Sequence, residues 1–178
     1  MFGEWMQAKH SMFYDALPHL FLEFDIYDKV DDVFLSTTRR KALIGNAPVV
    51  SVPVLFEGNA PARLQDLSSL VGFSVGRSDT WQESLRSQAV RQGIDVERVI
   101  SQTDSCMQSE GLYLKIENDH QVLSRCKLVR RSFTQTIMDG GEHWQKRPLM
   151  PNGLREGQDM YACSIDKSWP AFRPHAST

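Results

Sequence analysis

No stretch of this sequence is long and apolar enough to cross a bilayer: the longest, residues 49–56, is interrupted by Ser51 and Pro53. The N-terminus also lacks the basic start and apolar run of a secretory signal. Membrane insertion and secretion are therefore not expected. Cysteine is scarce, and Cys106, Cys126 and Cys163 form an odd set without metal-ligand spacing. They read as reduced thiols of a cytoplasmic protein, with no disulfide and no zinc. The histidines His10, His19, His120, His143 and His175 show no His-x-x-x-His spacing and read as structural or exposed. An excess of positive charge is missing as well: 20 Lys and Arg stand against 22 Asp and Glu, for a net charge of −2. The chain is not a general polycation, so any contact with nucleic acid must be local. Internal repeats and low-complexity segments are absent too.

What is present is ordinary globular material, 178 residues with 41% apolar and 24% charged content, enough for one domain with a sizeable core. The opening Met1-Phe2-Gly3-Glu4-Trp5-Met6 is strand-like at once, with no polar lead-in. That abruptness suggests a truncated gene product, an internal start site or a split domain. Residues 21–27 alternate, with Leu22, Phe24 and Ile26 on one side and Glu23 and Asp25 on the other, which predicts a central strand. Residues 33–35 follow an acidic turn, and Ser36 or Thr37 offers an N-cap for a helix over 38–44 that Gly45-Asn46 ends. Residues 49–56 read as a short strand whose Pro53 confines it to an edge or a bulge. Helices are expected over 62–71 and 80–92, the second with Trp81, Leu85 and Ala89 on a core face, and a further helical turn over 95–100. Residues 111–117 and 121–129 flank Asn118-Asp119-His120 as an antiparallel hairpin. A helix over 132–138 follows, and the Pro- and Gly-rich residues from 148 onward wrap the domain or fray.

Four short segments, in order, resemble the nucleotidyltransferase core shared by RNA ligases, DNA ligases and capping enzymes. Phe2-Gly3-Glu4-Trp5 resembles motif III, Phe21-Leu22-Glu23-Phe24-Asp25-Ile26 motif IIIa, Glu110-Gly111-Leu112-Tyr113-Leu114-Lys115 motif IV, and Arg125-Cys126-Lys127 motif V. Each segment is weak singly, and their order and hairpin placement carry the signal. Within that group the chain is most similar to ATP-dependent RNA ligases of bacterial and phage type, helped by Phe133-Thr134-Gln135-Thr136, His143-Trp144 and Arg147-Pro148. The resemblance implies an α+β fold: an ATP-grasp-like ligase core of antiparallel sheets flanked by helices, incomplete at its N-terminus. Residues 1–154 would form the C-terminal part of that domain, and residues 155–178 a tail.

The implied reaction joins an RNA 5′-phosphate to a 3′-hydroxyl through lysine-AMP and RNA-adenylate intermediates, with ATP and Mg2+ as cofactors. Each step is phosphoryl or nucleotidyl transfer, which needs cations at the phosphates, carboxylates for a divalent ion and an aromatic face for the base. The resemblance assigns Lys115 to the phosphates, Lys127 to the phosphate or the lysine-AMP intermediate, Glu110 to the magnesium ion or its waters, and Glu4 to the ribose. It also assigns Phe24 to stacking on adenine. Arg125 departs from the usual Lys-x-Lys pattern, and its planar fork is not equivalent to an ammonium. Arg130 and Arg131 extend the positive strip into a candidate RNA backbone track. Blander readings stand beside these: a solvated strand face for the cations, exposed carboxylates for the acids, and a core position for Phe24.

The family's nucleophile is a lysine that opens a Lys-x-Asp-Gly or similar motif before motif III. None of the seven lysines, Lys9, Lys29, Lys41, Lys115, Lys127, Lys146 and Lys167, opens one. Covalent transfer requires an activated amine beside the phosphates. The chain alone is therefore expected to be inactive, its missing lysine supplied by an N-terminal segment or a separate chain. The alternative is a non-catalytic nucleotide- or RNA-binding remnant.

Overall fold

A computed structural model describes residues 1–134, 147–162 and 164–173. The central strand β2 (Phe21–Asp25) lies between β1 (Phe2–Trp5), which is antiparallel to it, and β5 (Val50–Ser51), which is parallel. β3 (Tyr27–Asp28) and β4 (Val33–Phe34) form a small antiparallel pair beyond the end of β2. A longer hairpin joins β6 (Gly111–Glu117) to β7 (Val122–Val129). Four helices, α1 (Thr37–Ile44), α2 (Leu64–Ser69), α3 (Trp81–Arg91) and α4 (Val96–Ser101), complete the described elements. The architecture is mixed α+β with small, mainly antiparallel sheets. Among the described residues no helix is long and apolar enough to cross a membrane.

Of the strand read over residues 21–27, β2 keeps 21–25, while Tyr27 pairs in the separate β3–β4 sheet. Nor does the alternation divide a dry side from a wet one: Glu23 and Asp25 are fully buried, and Leu22 and Ile26 are buried too. A carboxylate leaves water at this cost only when it is paired. Glu23 takes the Arg40 guanidinium from α1 and the Ser51 hydroxyl, at 2.8 Å, from β5. Asp25 takes cations from the β6–β7 hairpin. Thus β2 is central in a stronger sense than its apolar residues require.

Local chemistry sets the remaining elements. Ser36 caps α1 by accepting from the Arg39 N–H, and Gly45 closes the helix at a φ of 47°. Ser36 also donates to the Asp119 carbonyl at 2.8 Å, and the Glu117 carboxylate accepts from the Thr37 N–H at 3.1 Å. The tip of the β6–β7 hairpin is thereby fastened to the start of α1. On α3, Trp81, Leu85 and Ala89 are buried against Phe13, Val99 and Met150, as their four-residue spacing predicts. β5 is shorter than residues 49–56 suggested: its pairing with β2 goes no further than the Val52 N–H, which donates to the Glu23 carbonyl at 2.8 Å.

The C-terminal residues contact the body of the domain in several places. Ala8 bridges Pro151, Leu17 bridges Leu154, and the Trp169 indole donates to the Ser51 carbonyl at 2.8 Å. The helix expected over 132–138 is described only for its first turn, residues 131–134. Gln135, Thr136, His143 and Trp144 lie outside the described residues, as do Lys146, Cys163 and His175.

Candidate functional site

The β6–β7 register pairs Tyr113 with Lys127 and Lys115 with Arg125. Directly opposed residues share a face, and so do residues two apart along a strand. Tyr113, Lys115, Arg125 and Lys127 therefore occupy one face of the hairpin, and that face meets β2 at Phe24 and Asp25. Lys115 Nζ lies 2.6 Å from Asp25 Oδ1, off the hydrogen-bonding direction, and donates to the Phe24 carbonyl at 2.5 Å. Arg125 bonds Asp25 Oδ2 at 2.9 Å, and the Tyr113 hydroxyl donates to the same oxygen at 2.6 Å. Burial, with that hydrogen bond and the Asp25 charge, pushes the Tyr113 hydroxyl up to about 12.

Aromatic rings line this junction. The Phe24 and Tyr113 rings meet edge to face with centroids 5.3 Å apart, and the Arg125 guanidinium lies 3.7 Å over the Phe34 ring. Phe34 in turn touches Phe2 and Tyr27. Phe24 is half-buried, neither lost in the core nor fully presented.

The base of the hairpin holds a second group. Lys127 Nζ is 3.7 Å from Glu110 Oε2, with the lysine 61% and the glutamate 34% exposed, so both keep solvent-facing atoms. Tyr14 donates to Glu110 Oε1 at 3.5 Å. Burial raises the Tyr14 hydroxyl far above its usual range, and the Glu110 charge adds to this, with a smaller contribution from Glu4. Glu4 lies on β1 with its side chain exposed.

Glycine sits beside both acids for one reason. A Cβ on Gly3 would fall 2.6 Å from Phe21 Cε2 and 2.7 Å from the Leu22 carbonyl oxygen, and one on Gly111 would lie 1.8 Å from the Leu128 carbonyl oxygen. Each strand reaches its neighbour only without a side chain there.

The structure therefore joins Lys115 and Arg125 at Asp25, beside Phe24, and joins Lys127 to Glu110, while Glu4 stands on β1 apart from both pairs of contacts. Arg130 turns elsewhere: its guanidinium is buried on the Asp104 carboxylate and donates to the Ser109 carbonyl at 2.8 Å. Arg131 is exposed at the start of the helical turn. Asp25, Tyr113, Tyr14 and Phe34 were not singled out from the sequence. For Asp25 a signal existed, since an acid flanked by Phe24 and Ile26 on a central strand needs a counter-charge, and Lys115 and Arg125 were already candidate cations.

Among the described residues no three His, Cys, Asp or Glu side chains cluster as a metal-holding group, and Cys106 and Cys126 are free thiols. The class so defined is a mixed α+β protein whose strand hairpin presents cations beside a carboxylate and an aromatic pair. A family model described as RNA ligase matches residues 1–131, which include β1 to β7 and every site residue named above. The chain belongs to the RNA ligase family. Comparison with curated proteins and with solved structures gave no significant match.

Proposed function

We propose that this chain is part of an ATP-dependent RNA ligase-type nucleotidyltransferase of bacterial or phage type, acting in the cytoplasm on RNA with 5′-phosphate and 3′-hydroxyl ends. The observation that carries the reading is the single hairpin face bearing Tyr113, Lys115, Arg125 and Lys127, set against Phe24 and with Glu110 at its base. Lys127 is the cation best suited to meet a phosphate, because most of its side chain is exposed and its ionic contact with Glu110 is 3.7 Å long. Lys115 and Arg125 are held in place by Asp25, which fixes two positive charges beside the phosphate position. Phe24, with Tyr113 at its edge, offers the flat apolar surface for adenine. Glu4 serves the ribose, and Arg131 contributes to the RNA backbone track.

The residues fit a magnesium nucleotide. Glu110 keeps an oxygen turned to solvent, and a single carboxylate suits an ion that retains several waters and takes its other ligands from phosphate. Bound there, Mg2+ would neutralise phosphate charge. Glu110 would orient it, and Lys127, 3.7 Å from that carboxylate, would add its own charge at the phosphates.

A second reading, a non-catalytic nucleotide- or RNA-binding remnant, draws on the lysine inventory. None of the seven lysines opens Lys-x-Asp-Gly, so these residues lack the family's route to a covalent adduct. Incubation with radiolabelled ATP and Mg2+, followed by a denaturing gel, separates the two. Ligase membership with a divided active site gives no labelled band from the chain alone, and a band once a polypeptide carrying Lys-x-Asp-Gly is added. A remnant gives none in either case. A band from the chain alone would show that one of its own lysines is the nucleophile.

A further inference from the structure

The geometry points to Tyr14 as a positioning residue for Glu110: its hydroxyl holds one carboxylate oxygen so that the other stays turned toward Lys127 and the solvent. This rests on the role given to Glu110 above. Tyr14 lies in the segment between β1 and β2, and its backbone is fixed from both sides. Its N–H donates to Asn152 Oδ1 at 2.9 Å, its carbonyl accepts from the Gly153 N–H at 2.8 Å, and the Asn152 amide donates to the Met6 carbonyl at 2.7 Å. The ring packs with Leu17, Leu22 and Val50 and lies so close to Gly76 that a Cβ there would stand 2.9 Å from Tyr14 Cδ1. Little freedom remains for the ring, so the direction of its hydroxyl is set by the fold.

Two acceptors stand 3.5 Å from that hydroxyl, Met12 Sδ and Glu110 Oε1. A thioether accepts weakly and a carboxylate strongly, so the proton belongs to Glu110. Glu110 Oε2 is the oxygen nearer Lys127, at 3.7 Å. The two carboxylate oxygens thus have separate tasks. A phenylalanine would fill the same apolar space, so the hydroxyl is the part that core packing does not require.

The test uses Tyr14→Phe in the full chain and measures ATP binding with Mg2+ and with EDTA. Tyr14→Phe should weaken binding about three- to tenfold with Mg2+ only. Glu110→Gln should behave alike, and the double variant should be no weaker than Glu110→Gln alone.

Mg2+-dependent weakening by Glu110→Gln but not by Tyr14→Phe would overturn the proposal and leave the role of Glu110 standing. No change in nucleotide binding in either variant would instead remove the role of Glu110 itself. If Tyr14→Phe folds poorly, 3-fluorotyrosine at position 14 retains the ring and strengthens the donor; Mg2+-dependent ATP binding should then be kept or tightened, and its weakening would overturn the proposal.

Discussion

At position 25 a fully buried aspartate meets an ammonium, a guanidinium and a phenol, and those three groups come from a hairpin about ninety residues further along the chain. Removing one member of such a group leaves its partners uncompensated, so Asp25→Asn should destabilise the fold by roughly 3–5 kcal/mol, as read from urea melts. A change near zero would mean that Lys115 and Arg125 rest elsewhere in solution. Lys9 supplies a second test. It is buried, donates to the Gln102 carbonyl at 3.1 Å, and is pushed down to about 8 by burial, then by Arg147 and Arg77. The unfolded chain keeps this proton up to the ordinary value of 10.5, whereas the folded chain releases it near 8. The penalty is complete below pH 8, and stability should rise with pH between about 8 and 10.5. Tyr113 acts oppositely at higher pH, its contribution being lost between its ordinary 10.0 and about 12. Urea melts of the wild type and Lys9→Met across the lower window should diverge in slope, and parallel curves would contradict the burial of Lys9. Lys115, Lys127, Glu110, Glu4 and Phe24 could be named from the sequence because motif order marks them. Tyr14 could not, since its importance arises from a partner far along the chain, and Asp25 offered only the signal of an acid on a central strand in need of a counter-charge.

Among the elements, the β6–β7 hairpin organises the site, and it is held at both ends. Its tip is bonded to Ser36 and Thr37 at the start of α1, and its base is joined through the Arg130 N–H to the Glu110 carbonyl at 2.9 Å. Gly111 allows the strands to meet at that base, so Gly111→Ala should prise them apart next to Glu110. Amide hydrogen exchange should then rise across 111–117 and 122–129 while α3 stays protected, and unchanged exchange would show that the strands are not in such close contact. Periodicity and turn chemistry made this hairpin, the Ser36 cap and the buried face of α3 readable in advance. The same reasoning overextended β5, because a run of apolar residues does not reveal where pairing with a neighbouring strand stops. It also missed the short β3–β4 pair as a unit, since two-residue strands leave almost no alternation to detect. Nor did the grouping of Arg130 with Arg131 in the sequence foretell that Arg130 would be buried on Asp104, a partner reached only through folding.

Taken whole, the molecule has a net charge of −2 and no general attraction for polyanions. Its claim to act on nucleotides rests on a small cationic face built from two strands, not on overall charge. Family membership and the order of the motifs agree with that face, and the α+β class was legible because strand and helix periods alternate along the chain. The central claim is that Lys127, Lys115 and Arg125 form a nucleotide phosphate site even without the family's Lys-x-Asp-Gly lysine. Calorimetric titration of the full chain with ATP and Mg2+ tests it most directly. The wild type should bind, and Lys127→Ala should bind about tenfold or more weakly, since a charge-assisted contact contributes roughly 1.5–3 kcal/mol. Failure of the wild type to bind, or equal affinity in Lys127→Ala, would contradict it.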